Sequence, residues 1–168
     1  ESEWGGHYLM IANFIKKMGP YESPCLDVGG YNGTFACLFP SPYYILDSHN
    51  GYGQDGAIQL PGWVIDGNLT GLNEDMRFNT VISTEAMEHF DNPIVAFGEM
   101  ASRLNSGGKF IISSPSMWGY HPSPKDYWRL QKDAWYYLAD KNGINVTTFE
   151  ETHVGDGAIT GFFAGVKV

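Results

Sequence analysis

The chain has 168 residues, 43% of them hydrophobic, and a formal net charge of −9. That length and apolar content fit one compact domain with its own core, and no stretch is long and apolar enough to cross a membrane. The acidic balance argues against a broad phosphate-binding surface, which needs clustered Lys and Arg, and therefore against nucleic acid as the partner.

In chain order, His7 to Met18 reads as an amphipathic helix stopped by Gly19-Pro20. Strand-length apolar runs follow at Cys25–Val28, Tyr43–Leu46, Trp63–Ile65, Thr80–Ser83 and Lys109–Ser113. Their alternation with helical patterns is the signature of βαβ units and a mostly parallel sheet. After the first run, "GGYNGTFA" reads as a turn and the start of a helix, whereas the glycine-rich His49 to Gly62 stretch replaces a helix with a loop. Asp91-Asn92-Pro93 opens a helix that Ser106-Gly107-Gly108 stops, with Ile94, Val95, Phe97, Met100, Ala101 and Leu104 on one face. A further helix at Lys132–Lys141 is capped by Asn142-Gly143. Then "INVTTFEE" and "AITGFFAGVKV", separated by Gly155-Asp156-Gly157, form a closing antiparallel hairpin. Cys25 and Cys37 are the only cysteines; they fit no metal or redox spacing and are expected as buried thiols. With no cleavable signal pattern at the start, the expected compartment is a reducing cytoplasm, where the sequons at Asn32, Asn68 and Asn145 stay unmodified.

Chemistry concentrates at the ends of the predicted strands. A strand closing on Asp27 and turning through Gly29 and Gly33 lets backbone approach a ligand and sets a helix N-terminus beside it. Twenty residues on, Asp47 closes the next strand, where a carboxylate can accept both hydroxyls of a ribose. Asp66 ends the third predicted strand in the same way. Each has a plainer reading: Asp27 as a turn cap, Gly29 and Gly33 as steric needs of a corner, Asp47 as a solvated loop residue. Three acids at successive strand ends favour a ligand, because open α/β sheets bind ligands there.

The motifs "LDVGGYNG", "YYILD", "WVIDGN", "FNTVISTEAMEHFDNP" and "LNSGGKFIISSPS" resemble, in order and spacing, those of class I S-adenosylmethionine-dependent methyltransferases, especially the type 11 group. "HPSPKDYWRL" is similar to a branch that carries "DYWR" at this place. The resemblance implies a Rossmann-like three-layer α/β sandwich. Its seven-stranded, mostly parallel sheet would carry an antiparallel C-terminal strand, in a single methyltransferase domain over 1–168 with a lid helix in 1–18 and a core in 24–168. The implied cofactor is S-adenosylmethionine, with S-adenosylhomocysteine as product. Asp27, Gly29 and Gly33 would border its methionine moiety, Asp47 its ribose, Asp66 and Gly67 its adenine, and Thr84 its sulfonium. Tyr31 stands where the commonest first motif has glycine, which puts the loop path there, and the role of Asn32, in question.

A sulfonium methyl group is already activated, so alignment and exclusion of water carry most of the catalysis. If a base is needed, the resemblance points to His89 and His121; a structural role for His89 at the helix start is the alternative. Glu85, Glu88 and His89 at i, i+3 and i+4 would share one face of a helical turn, and His121 could complete a metal shell, but the expectation is a metal-free site. Trp118, Tyr120, Tyr127 and Trp128, with Trp4 and Tyr8 on the lid helix, offer an aromatic acceptor pocket or simply anchor core and loops. Lys125 and Arg129 are basic residues either facing an acidic acceptor or merely solvated. The implied partner is a small polar acceptor methylated at oxygen, with no nucleic acid, no membrane and a monomeric or homodimeric protein. The alternatives are an S-adenosylmethionine-binding module without catalysis, and a nicotinamide dehydrogenase; the latter predicts G-x-G-x-x-G where this chain has D-x-G-x-x-x-G.

Overall fold

A computed structural model describes residues 3–48, 56–122, 124–155 and 157–168, with the side chains of Glu3 and Trp4 outside the description. Three helices, α1 (Glu3–Met18), α2 (Pro93–Ser102) and α3 (Lys132–Lys141), accompany β1 (Cys25–Val28), β2 (Tyr43–Leu46), β3 (Ile58–Gln59), β4 (Val64–Ile65), β5 (Asn68–Leu69), β6 (Phe78–Thr84), β7 (Leu104–Met117), β8 (Ile144–Val154) and β9 (Ala158–Lys167). Seven strands form one sheet in the order β3-β2-β1-β6-β7-β9-β8. Its first five members run parallel, and β9 enters antiparallel between β7 and β8. No helix among the described residues is long and apolar enough to cross a membrane.

Period-2 alternation sorts the core into two layers. Leu26, Val28, Leu46, Val81, Phe110, Ile112 and Phe163 face α2 and α3, where Phe97, Met100, Trp135 and Leu138 pack against them. Cys25, Ile45, Ile82, Ile111, Phe162 and Ala164 point the other way, onto Ile11, Phe14 and Ile15 of α1. The result is the expected helix–sheet–helix sandwich, held by buried aliphatic and aromatic surface on both sides of the sheet.

Asn92 caps α2 as its sequence position predicts, its side chain accepting from the Val95 N–H at 3.2 Å, with Pro93 in the first turn. Asn92→Ala should lower stability by about 1 kcal/mol, read as a shift in a urea unfolding curve with unchanged slope. The helix ends earlier than the glycines suggest. Leu104 already pairs with Phe78 as the first residue of β7, and Ile94 and Val95 lie on the solvent side, so the buried face is Ala96, Phe97, Met100 and Ala101. α3 and the β8–β9 hairpin stand where expected, although Asp156 of the turn lies outside the described residues.

Three expectations are corrected. The third strand of the sheet is Ile58–Gln59 and not Trp63–Ile65; Val64 and Ile65 instead pair with Asn68 and Leu69 in a separate small hairpin. The loop expected over His49 to Gly62 therefore contains a short strand, and its first seven residues, 49–55, lie outside the described ones. No α-helix follows the first glycine turn, only a 3-10 turn at Ala36–Leu38, because Pro40 and Pro42 close off the space before β2 and force Phe39 to extend. Finally, Cys25 is buried but Cys37, on that 3-10 turn, is exposed.

Candidate functional site

β1 neighbours both β2 and β6, so the connections from adjacent strands diverge at its carboxyl end. A cavity of about 570 Å³ opens there, in the size range of small-molecule sites. Asp27 from β1, Asp47 after β2 and Thr84 at the end of β6 line it, while Tyr8 and Ile11 of α1 lie over one side. Gly29 adopts φ +78, and a Cβ there would come within 2.4 Å of the Ala86 Cβ. Gly30, which the sequence reading passed over, matters as much. A Cβ on it would meet Asp27 Oδ2 at 2.2 Å, so only glycine lets the loop pass that carboxylate. The adjacent pair "GG" was the available signal.

Asp27 is 1% exposed. Oδ2 accepts from the Tyr43 hydroxyl at 2.5 Å, and Oδ1 has no hydrogen-bond partner. Burial pushes its carboxyl up to about 7, against the opposing pull of the Tyr43 hydrogen bond, and the nearby Asp47 charge adds to the rise. Asp47 accepts the Tyr31 N–H at 2.7 Å. Tyr31 has φ 51, the left-handed conformation that glycine favours, so the loop takes that path despite the side chain, which projects outward. Asn32 accepts from the Thr34 hydroxyl at 3.2 Å. Gly33, at φ +83, is packed under the loop against Ile45 and is not among the cavity's lining residues.

Asp66 and Gly67 are not brought to the cavity. They form the turn of the β4–β5 hairpin, and their N–H groups donate to the Asp91 carboxylate at 3.1 and 3.2 Å. The premise that Asp66 ends a third strand of the sheet falls with the strand itself. Gly67 is needed for packing on α2, since a Cβ would sit 2.5 Å from the Asn92 carbonyl oxygen.

Beyond Thr84 lies a polar cluster. Glu85 is left-handed at φ 48, and the next residues form a 3-10 turn, Met87–His89, so the expected helical face does not exist. Glu85 turns to Ser113, whose hydroxyl donates to it at 2.7 Å, and to His7 of α1 at 3.3 Å. Burial raises its carboxyl's pKa, with His7 opposing. Glu88 is 1% exposed, and its Oε2 accepts from the Ser114 hydroxyl at 3.1 Å. His89 Nε2 and His121 Nε2 approach Glu88 Oε1 at 3.6 and 3.8 Å, and the Glu88 carboxylate raises the His121 pKa. Behind His121, Asp126 is gripped by Arg129 through both carboxylate oxygens, which holds its carboxyl well below the usual range. Arg129 is thus committed to a structural clamp and not available to an acidic acceptor, a correction to one reading of its charge.

Of the aromatic residues expected around an acceptor, Tyr8 lines the cavity, as does Trp63. Trp118 packs on His7, with ring centroids 5.0 Å apart, and Trp128 donates to the Phe90 carbonyl. Tyr120 and Tyr127 are exposed, and Lys125 lies over the Tyr127 ring while its carbonyl meets His89. The side chain of Trp4 lies outside the described residues.

The sequence from 7 to 154 matches a family described as a methyltransferase domain. No curated protein matches the chain. Among solved structures, a candidate S-adenosylmethionine-dependent methyltransferase of Listeria monocytogenes superposes with TM-score 0.74 at 13% identity, covering 96% of this chain and 99% of that one. The 1,6-didemethyltoxoflavin-N1-methyltransferase of Burkholderia thailandensis, with bound 1,6-didemethyltoxoflavin and S-adenosylhomocysteine, gives 0.76 at 12% identity over 95% and 77% of the two chains. A candidate methyltransferase in complex with the Haloferax volcanii Trm112 methyltransferase activator gives 0.72 at 16% over 98% and 92%. At these identities the superpositions establish the shared fold.

Proposed function

The chain belongs to the methyltransferase-domain family and is a class I S-adenosylmethionine-dependent methyltransferase; on that footing we propose that it methylates an oxygen of a small polar metabolite. The observation that carries the placement of the donor is the cavity at the carboxyl ends of β1, β2 and β6, with Asp27, Asp47 and Thr84 converging on it. The residues fit such a ligand. The partnerless Asp27 Oδ1 is a buried acceptor suited to an ammonium group, and Gly29 and Gly30 bring backbone close to it. Asp47 stands at the second strand end, suited to ribose hydroxyls.

When bound, S-adenosylmethionine supplies a sulfonium methyl group. Transfer to an acceptor hydroxyl would leave the sulfur as a neutral thioether and would release one proton, for which the His89 and His121 imidazoles are the bases at hand. The chain's own part is to bind and align. Asp27 and Asp47 fix the two ends of the donor, Thr84 borders the reacting centre, and Tyr8 and Ile11 shield it from water, so that proximity supplies most of the rate. The acceptor's hydroxyl is placed at the His89–His121 side, where the two imidazoles converge on Glu88. The net charge of −9 supports a small acceptor over a nucleic acid.

Labelled S-adenosylmethionine incubated with a metabolite panel should pass its label to a small hydroxylated acceptor. Strong transfer to RNA or DNA would overturn the substrate class, and binding of the donor with no transfer to any panel member would favour the non-catalytic reading. His121→Ala should lower kcat about tenfold or more while leaving the calorimetric affinity for S-adenosylhomocysteine unchanged, because His121 is not among the residues lining the donor cavity.

A further inference from the structure

Three non-glycine residues among those described are left-handed: Tyr31 (φ 51), Asp66 (φ 49) and Glu85 (φ 48). Tyr31 and Glu85 both line the donor cavity. Strained backbone of this kind gathers at ligand sites, because it persists only where a gain elsewhere offsets its cost. In the same loop, Gly29 and Gly33 are left-handed at φ +78 and +83, and both positions lack room for a side chain. An added Cβ would lie 2.4 Å from the Ala86 Cβ and 2.9 Å from Ile45 Cδ1. Position 31 takes the same region of backbone space but opens outward, and a large aromatic ring stands where glycine would be free of strain. The bond to Asp47 does not account for the ring, since it needs only a backbone N–H, which glycine would supply equally. The Tyr31 side chain is 56% exposed at the cavity wall, so much of its surface is open to whatever the cavity receives.

We propose that Tyr31 is a specificity-determining residue for the donor: its ring covers the nucleoside half of the bound ligand, and the left-handed backbone tied to Asp47 brings it there. The proposal rests on the donor reading above. The sheet order decides which half of the ligand is meant. Through its N–H, Tyr31 is fastened to Asp47 at the end of β2, and β1 separates β2 from β6, after which come His89 and the acceptor side. On the same wall Tyr8 of α1 is 49% exposed, with its ring 6.2 Å from that of Phe35, and both line the cavity. This side therefore joins a carboxylate to aromatic surface. A nucleoside has the matching chemistry, with hydroxyls along one edge for Asp47 and a flat base face for a ring. Covering that face removes apolar surface from water, and the ring must move aside before the ligand leaves, so the gain falls mainly on the dissociation rate. Neither the methyl group nor the methionine tail takes part, so donor and product are held alike.

The test measures calorimetric affinity and stopped-flow dissociation for two probes, S-adenosylhomocysteine and 5′-methylthioadenosine, which keeps the nucleoside and lacks the amino-acid tail. Wild-type protein is compared with Tyr31→Phe, Tyr31→Asn and Tyr31→Gly, each shown to be folded by its urea transition. Asparagine accepts the left-handed conformation without a ring, and glycine accepts it without strain. Tyr31→Phe should bind both probes with near-native affinity. Tyr31→Asn and Tyr31→Gly should each weaken both probes by a similar factor, about 5- to 150-fold, the range of one aromatic contact to a base, with most of the change in dissociation. Near-native affinity in both ringless variants overturns the proposal. So does a loss, or binding itself, confined to S-adenosylhomocysteine, which would put the ring on the methionine tail. A loss in Tyr31→Gly with near-native Tyr31→Asn would trace the effect to loop flexibility and overturns it as well. Wild-type protein that binds neither probe sinks the donor reading, and the role of Tyr31 with it.

Discussion

Between the ordinary carboxylate range and about pH 7, the unliganded protein should lose stability as pH rises, and Asp27→Asn should reduce that loss, leaving the part that comes from the buried Glu85. Asp27 has its folded-state pKa pushed up to about 7 from an ordinary 3.8, burial being the main cause. Within that window the folded chain holds a proton at Asp27 that the unfolded chain has released. The folded state therefore binds more protons, and stability falls with rising pH until the folded group ionises too. The shift corresponds to a loss on the order of 4 kcal/mol across the window. Asparagine keeps an acceptor for the Tyr43 hydroxyl and carries no charge to desolvate. Urea unfolding of both proteins at a series of pH values measures the difference; parallel stability profiles would show that Asp27 ionises normally. The cost has a functional counterpart. A buried carboxylate without a partner for Oδ1 is poised for a cationic ligand group, so S-adenosylmethionine should bind more tightly as pH rises toward 7, by up to about tenfold per unit.

Asp47→Ala should weaken S-adenosylhomocysteine binding by about 1.5–3 kcal/mol, or roughly 10- to 150-fold, through loss of charge-assisted hydrogen bonds in a partly desolvated site. Asp47 also accepts the Tyr31 N–H at 2.7 Å, and that bond helps hold Tyr31 in a left-handed conformation costing about 1–2 kcal/mol for a residue with a Cβ. Asp47→Asn separates the two roles, because the amide oxygen still accepts from Tyr31 while the charge is gone. If asparagine weakens binding nearly as much as alanine, the carboxylate acts on the ligand. Near-native affinity in the asparagine variant would mean that Asp47 works only by shaping the loop. A change of less than twofold in both, measured by calorimetry on folded protein, would remove Asp47 from the donor site altogether.

Sequence alone determined the parallel sheet and the closing hairpin, because their signals are local. The apolar runs "CLDV" and "YYIL", the Asn92-Pro93 start of α2 and the Asn142-Gly143 end of α3 each depend on neighbours within a turn or a strand, and each stands in the structure where it was expected. Asp27, Asp47 and Thr84 were legible for the same reason: each sits at or next to the carboxyl end of a strand, and parallel strands put those ends together. Local signals failed where two short apolar runs competed. Ile58–Gln59 won the sheet edge from Trp63–Ile65 by pairing with Tyr44 and Ile45, an outcome set by the partner strand and not by either run. The polar cluster was decided by tertiary structure alone. Glu85 and Glu88 lie three residues apart, yet a left-handed residue and a 3-10 turn send one to His7 and the other toward His121. Helical spacing assigns neighbours only along a helix, whereas a buried carboxylate takes as partners whatever groups the packed chain delivers to relieve its desolvation.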